Sequence, residues 1–224
     1  MTTLYASASE VNSRMLSVYN NMFLAVVVSM IVSMAVASSP ALMSFLFGSW
    51  VKWIVIFAPL AVILAMGFVM NRATRTEAQA FLYGFAALMG LSMSTIFITF
   101  TATSIVTAFL GAAVLFATMS LWGYFTKRSL ESWGSFLMVG VIALVITSIV
   151  NIFLGNSTLA MVVSAVAIIV FLGLTAYDTQ RIREEVSVAD PDKKADVVGA
   201  LSLYLNFINI FMSLLQLFGG RNDD

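Results

Sequence analysis

Stretches of about twenty apolar residues recur along this chain, and each can cross a hydrocarbon core of ~30 Å as a helix. No other feature constrains the fold so tightly. In lipid no water satisfies backbone N–H and C=O groups, so a spanning segment must be a helix or belong to a closed barrel. Unbroken apolar runs, in place of alternating ones, point to helices. Composition agrees: 61% of residues are hydrophobic and only 10% charged, against ~25% charged in a soluble domain. The reading is an all-α integral membrane protein, a single domain over residues 1–224. Seven transmembrane helices are expected at about 16–37, 50–70, 78–99, 104–126, 133–153, 159–180 and 198–218. Pro59 is expected to kink the second, and Pro191 lies in the one long charged loop.

The basic residues orient these spans. Arg14 precedes the first; Arg72 and Arg75 follow the second; Lys127 and Arg128 follow the fourth; Arg181, Arg183, Lys193 and Lys194 lie between the sixth and seventh. If the spans alternate, these nine of the eleven Lys and Arg fall on one side, leaving Lys52 and Arg221 on the other. The positive-inside rule then places the N-terminus in the cytoplasm and the C-terminus outside. Trp50, Trp53, Trp122 and Trp133 all fall near span ends, where indoles favour the membrane interface. Arg14 ahead of an apolar run, with "AVA" at 35–37, mimics a cleavable leader. Its removal would discard one wall of the bundle, so the expectation is a retained first span.

Several chemistries drop out. The chain has no histidine and no cysteine, which removes the usual general base, thiol nucleophiles, disulfides and the commonest zinc ligands. With zero formal net charge and dispersed basic residues, no nucleic-acid partner is expected. An intramembrane aspartyl protease needs two carboxylates, and the spans offer one. The expectation is a protein that is not an enzyme and carries no cofactor, with the lipid bilayer as its first partner.

That one carboxylate is Asp178, in "FLGLTAYDTQRIREEV" at 171–186, where an apolar run meets a charged one. An ionised group within a span costs roughly 2.5–3.5 kcal/mol at mid-membrane and is a functional candidate for that reason. A bland alternative exists: Arg181 stands three residues on and can neutralise it as a local helical pair. The second signal is the last span. Ser202, Asn206, Asn209, Ser213 and Gln216 follow spacings of three and four, which puts all five on one helical stripe. Lipid disfavours such a stripe, so it faces protein or water, as interhelical hydrogen-bonding glue or as a polar pathway. Small residues in the third span (Gly84, Ala87, Gly90, Ser94) and the fifth (Gly140, Ala143, Thr147) are expected to serve close helix packing.

"AYDTQRI" at 176–182, "AFLYGFAALMGLSMSTIF" at 80–97 and "LSLYLNFINIFMSLL" at 201–215 resemble the Bax inhibitor-1 family, the transmembrane Bax-inhibitor-motif proteins. The resemblance covers nearly the whole chain, from "VYNNMFLA" in the first span onward. It implies a seven-helix bundle with the last helix central, a pH-responsive calcium or cation leak, and, for a bacterial member, residence in the inner membrane. In the bacterial calcium-leak members two aspartates share a proton. Carried over, the first is Asp178 and the second falls at Asn206, which is no carboxylate. The like-charge repulsion that makes such a pair titrate near neutral pH is thereby lost; Asn206 can instead donate its amide hydrogens to Asp178. An arginine latch near the end of the second span is implied too, with Arg72 or Arg75 as candidates beside Arg181. One carboxylate is a weak calcium ligand, since calcium takes six to eight oxygens; calcium is thus expected as a passing ion. The alternative is a non-conducting modulator that binds another membrane protein, such as the membrane-bound ATP-dependent protease partnered by one bacterial branch.

Overall fold

A computed structural model describes residues 6–188 and 194–222, apart from the side chains of Phe68 and Asn71. Pro191 and Lys193 lie outside the described residues. The described elements are helical: α1 (Ala8–Ala37), α2 (Pro40–Phe47), α3 (Val51–Arg72), α4 (Arg75–Met93), α5 (Ile96–Thr99), α6 (Ala102–Phe125), α7 (Glu131–Leu154), α8 (Ser157–Ser187) and α9 (Lys194–Phe218).

Short polar signals set the ends of these helices. Ser7, Thr74 and Thr101 are N-caps whose side chains accept from Glu10, Glu77 and Ser104 backbone N–H, satisfying donors that have no partner inside the first turn. At Thr74 the exchange is mutual, because the Glu77 carboxylate also accepts from the Thr74 N–H, forming a capping box. Gly155 ends α7 with φ 62°, a left-handed conformation that a side chain would strain.

Six helical segments are long and apolar enough to cross a membrane, and a seventh span exists if α2 and α3 count as one. Those two are bent by 78°. The second span therefore differs from expectation. The segment 38–49, expected as an uncharged loop, carries α2, started by the Ser39 cap and Pro40 and ended at Gly48. The sharp bend lies ahead of α3, while Pro59 sits inside α3 as a continuous helix. The third span is α4 followed by the short α5, interrupted at Ser94, whose N–H and hydroxyl both turn back onto the Leu91 carbonyl. At the other end of the chain, α8 and α9 run on into the charged segment between the last two spans.

The helices group into two compact units. The first comprises residues 1–100 and 186–204. Within it α1 and α4 make the most extensive contact, with Gly90 so close that a Cβ would lie 2.6 Å from the Ser29 carbonyl oxygen. Ser29 donates to the Ala86 carbonyl at 2.7 Å and pairs with the Tyr204 hydroxyl at 2.7 Å. Asn21 Oδ1 accepts from Tyr83 at 2.9 Å. The second unit comprises residues 101–185 and 205–222. There Phe109 and Phe116 pack edge-on against Phe207, and Phe109 also meets Phe211. The Gly220 N–H donates to Ser104 Oγ and its carbonyl accepts from Thr101, so the end of α9 lies at the start of α6.

Burial separates the spans. In the most apolar window of α9, 67% of residues are inside; in α7 the figure is 6%. Of the six long spans α9 is the most buried and α7 the least. All four tryptophans are exposed, as indoles at an interface would be.

Candidate functional site

Asp178 stands on α8 within the second unit, 7% exposed. Its neighbourhood is set by small residues and hydroxyls. Gly123 of α6 lets the two backbones meet at Ala176, where a Cβ would sit 2.3 Å from the carbonyl oxygen. One turn earlier on α6, Ser120 bonds Thr179 at 3.0 Å, and Thr179 returns its hydroxyl to the Thr175 carbonyl. Helix hydroxyls in a low-dielectric interior are thus satisfied locally or across the α6–α8 contact.

Both oxygens of the carboxylate are engaged. Arg181 Nη2 lies 3.1 Å from Oδ1, one turn along α8, and Asn206 Nδ2 of α9 donates to Oδ2 at 2.8 Å. The structure therefore brings Asp178, Arg181 and Asn206 together. Arg181 is itself partly exposed, reaches Glu185 at 3.6 Å and lies over the Tyr177 ring. It links the buried carboxylate to the charged end of the helix. The negative charge is balanced by one guanidinium and fixed by one amide. A cation at Asp178 would compete with these two donors for the carboxylate. Among the described residues no group of three or more acidic side chains could hold a metal ion; calcium would meet one carboxylate, short of the six to eight oxygens it prefers.

The other residues expected on the α9 stripe differ in burial. Asn209 is half-buried and donates to the Leu205 carbonyl of its own helix at 2.8 Å. Ser213 is buried, Ser202 half-buried and Gln216 exposed. Arg72 and Arg75 belong to the first unit. Arg72 is exposed, while Arg75 is half-buried with its Nε shielded and without a hydrogen-bond partner among the described residues. Of the three latch candidates, Arg181 is the one bonded to Asp178.

One expectation is corrected. Asp178 is not the sole acidic residue of the spanning helices. Asp196, 1% exposed, lies in the first turn of α9 and pairs with Arg14 of α1, 4% exposed, at 2.9 Å. The span expected from 198 starts four residues after α9, which begins at Lys194, and Arg14 reads from the sequence as an orientation charge. The helix extends because a carboxylate in its first turn complements the positive end of the helix dipole. A signal was available: Arg14, Asn21, Ser29 and Ser33 are spaced by seven, eight and four, a polar stripe on the buried face of α1.

The family model described as "Inhibitor of apoptosis-promoting Bax1" matches residues 11–223. The chain is 37% identical over 212 residues to the uncharacterized protein RP147 of Rickettsia prowazekii, covering 93% of this chain and 90% of that one. It is 38% identical over 222 residues to an uncharacterized protein of Caulobacter vibrioides, covering 93% and 89%. With the inner membrane protein YbhL of Escherichia coli it shares 38% over 213 residues, covering 92% and 91%.

Proposed function

The chain belongs to the Bax1-I family of Bax inhibitor-like membrane proteins, and on that premise we propose that it is a slow cation leak, described here in a shut state. The observation that carries this reading is the buried, doubly bonded Asp178. A carboxylate in a spanning helix is costly to keep, and a purely structural contact between α8 and α9 needs none. Its engagement by a partly exposed arginine and a neutral amide gives a plug that can be undone. Releasing Arg181 would uncover a negative charge facing Asn206, on the α9 stripe that continues to Asn209 and Ser213, a weak site from which an ion can also leave. Calcium is the divalent candidate; one carboxylate equally suits monovalent cations. The proposed setting is the bacterial inner membrane, with the N-terminus cytoplasmic. Within the first unit Arg14 meets the end of α8 and Lys194 the end of α3. Within the second, Arg183 and Gln180 meet the turn that carries Lys127 and Arg128. Basic residues thus gather at one end of each unit.

The amide at position 206 favours a second reading, a non-conducting modulator of another membrane protein, because the proton-sharing pair is gone. Purified protein in liposomes loaded with a calcium-sensitive dye, repeated with a sodium-sensitive one, separates the two. A leak predicts flux above empty liposomes, reduced by Asp178→Asn and raised by Arg181→Gln. Flux at the background level for all three proteins and both ions would leave the modulator.

A further inference from the structure

We propose that Arg14 is a positioning residue for the Asp178–Asn206 pair, acting as a removable pin between the end of α8 and the first turn of α9. The proposal rests on reading that pair as the shut element of a polar pathway.

Four observations carry it. Arg14 and Asp196 are almost wholly buried, with Nε 2.9 Å from Oδ1. The same guanidinium donates through Nη1 to the Val186 carbonyl at 2.9 Å and the Val188 carbonyl at 3.2 Å. One side chain of α1 therefore ties the C-terminal end of α8 to the start of α9. The chain ahead of α1 adds to the strap, since the Ala6 N–H donates to the Ser187 carbonyl at 2.9 Å. Finally, α8 and α9 are the helices that carry Asp178 and Asn206, Asp178 eight residues before Val186 and Asn206 ten residues after Asp196.

The chemistry suits a pin better than a brace. Arginine satisfies the orphan carbonyls and the negative end of the α8 dipole, while Asp196 suits the positive end of α9. A buried ion pair is a poor way to gain stability, because apolar residues of similar volume often serve as well; fixing register is its best-attested use. Lysine could meet the carboxylate but lacks the planar guanidinium that reaches Asp196 through Nε and both carbonyls through Nη1 at once.

The cysteine-free chain allows a direct test. The first readout is disulfide formation in Ala6→Cys/Ser187→Cys, which reports the strap. The second is the rate at which Ser213→Cys reacts with a small water-soluble thiol reagent, which reports α9. Arg14→Gln should lower the crosslink yield several-fold and raise the labelling rate several-fold, with Arg14→Lys between it and wild type. If Arg14→Gln fails to fold, Arg14→Met/Asp196→Leu, which removes both charges, should fold and behave likewise. A folded variant that crosslinks like wild type overturns the pin. A lost crosslink with an unchanged labelling rate overturns the positioning role and leaves a local strap. Faster labelling in a protein that conducts no cation in liposomes keeps the pin and removes the leak reading.

Discussion

Gly123 and Ala176 meet backbone to backbone: a Cβ on the glycine would lie 2.3 Å from the alanine carbonyl oxygen and 2.7 Å from its Cα. Both positions are buried. Asp178 follows Ala176 by two residues, and Ser120 bonds Thr179 one turn away. The approach of α6 to α8 thus sets how deeply the carboxylate is enclosed. Where a helix pair has little hydrophobic drive to associate, such close backbone contact supplies the packing.

Gly123→Ala should accordingly cost about 1–3 kcal/mol, the range for overpacking a tight contact, and Gly123→Leu should prevent the native contact from forming. Gly84 provides the control. Nothing lies within 4 Å of a Cβ there, and alanine is the better helix former by up to about 1 kcal/mol, so Gly84→Ala should be neutral or stabilising. Thermal unfolding of the purified variants in detergent measures both. Equal effects at the two glycines would contradict the geometry.

The two glycines also show what could be read from the sequence. Apolar runs located every long helix, and spacing placed Asn206 on a polar stripe, but its pairing with Asp178 came from the family resemblance carried by "AYDTQRI" and "LYLNFIN". Gly84 and Gly90 stand on one pattern, yet only Gly90 touches another helix. Periodicity places residues on a face but does not say which part of that face is covered. The α2–α3 bend at Gly48–Trp50 was missed because a short apolar helix and an uncharged loop look alike between two spans. Arg14–Asp196 was missed because a charge near a span end has a ready explanation in orientation, while its partner lies 182 residues away.

Tyr204 gives a measure of interhelical hydrogen bonding in the first unit. Its ring stands edge-on to Phe85 and its hydroxyl pairs with Ser29, which keeps a bond to the Ala86 carbonyl. Tyr204→Phe should therefore cost only about 0.6 kcal/mol and no more than about 1.7, the span measured for such bonds between membrane helices. Tyr204→Ala, which also empties a fully buried ring site, should cost about 3–5 kcal/mol. Unfolding in mild detergent with a titrated denaturing one would resolve them.

Single cysteines test whether the α9 stripe is wet. In the shut state Gln216→Cys, being exposed, should react quickly with a water-soluble thiol reagent, and Asn206→Cys slowly. Asn209→Cys is the informative position: a hydrated lane predicts faster reaction than at Leu205→Cys, though both are half-buried. Equal rates at 205, 208, 209 and 213 would favour a dry hydrogen-bonded seam.

Reporter fusions decide how α2 and α3 are used. With the bent pair as one span, fusions after Thr76 and Ser129 should read cytoplasmic and a C-terminal fusion external. If α2 and α3 form a re-entrant loop instead, six crossings remain and both termini share a side. A cytoplasmic C-terminus together with a cytoplasmic N-terminus would select the six-span form.

The amide at position 206 separates this chain from a proton-sharing pair, and restoring a carboxylate there tests the site most directly. In the natural protein Asp178 faces a guanidinium and an amide, and Asn206 offers no second carboxylate to share its proton. Any cation flux should therefore lack the steep step that a proton-sharing pair gives. In Asn206→Asp the two carboxylates would face each other across the present 2.8 Å contact, and such a pair holds one proton in common to relieve repulsion. Losing that shared proton replaces a hydrogen bond by repulsion, so the contact is retained at low pH and weakened as pH rises. A fluorophore on α9 and the liposome flux should both show a step between about pH 6 and 8, where a strongly coupled pair can titrate. Adding Asp178→Asn should abolish the step, because one carboxylate has no partner to share with. A steep step already present in the natural protein, unmoved by Asn206→Asp, would show that another group governs the pH response.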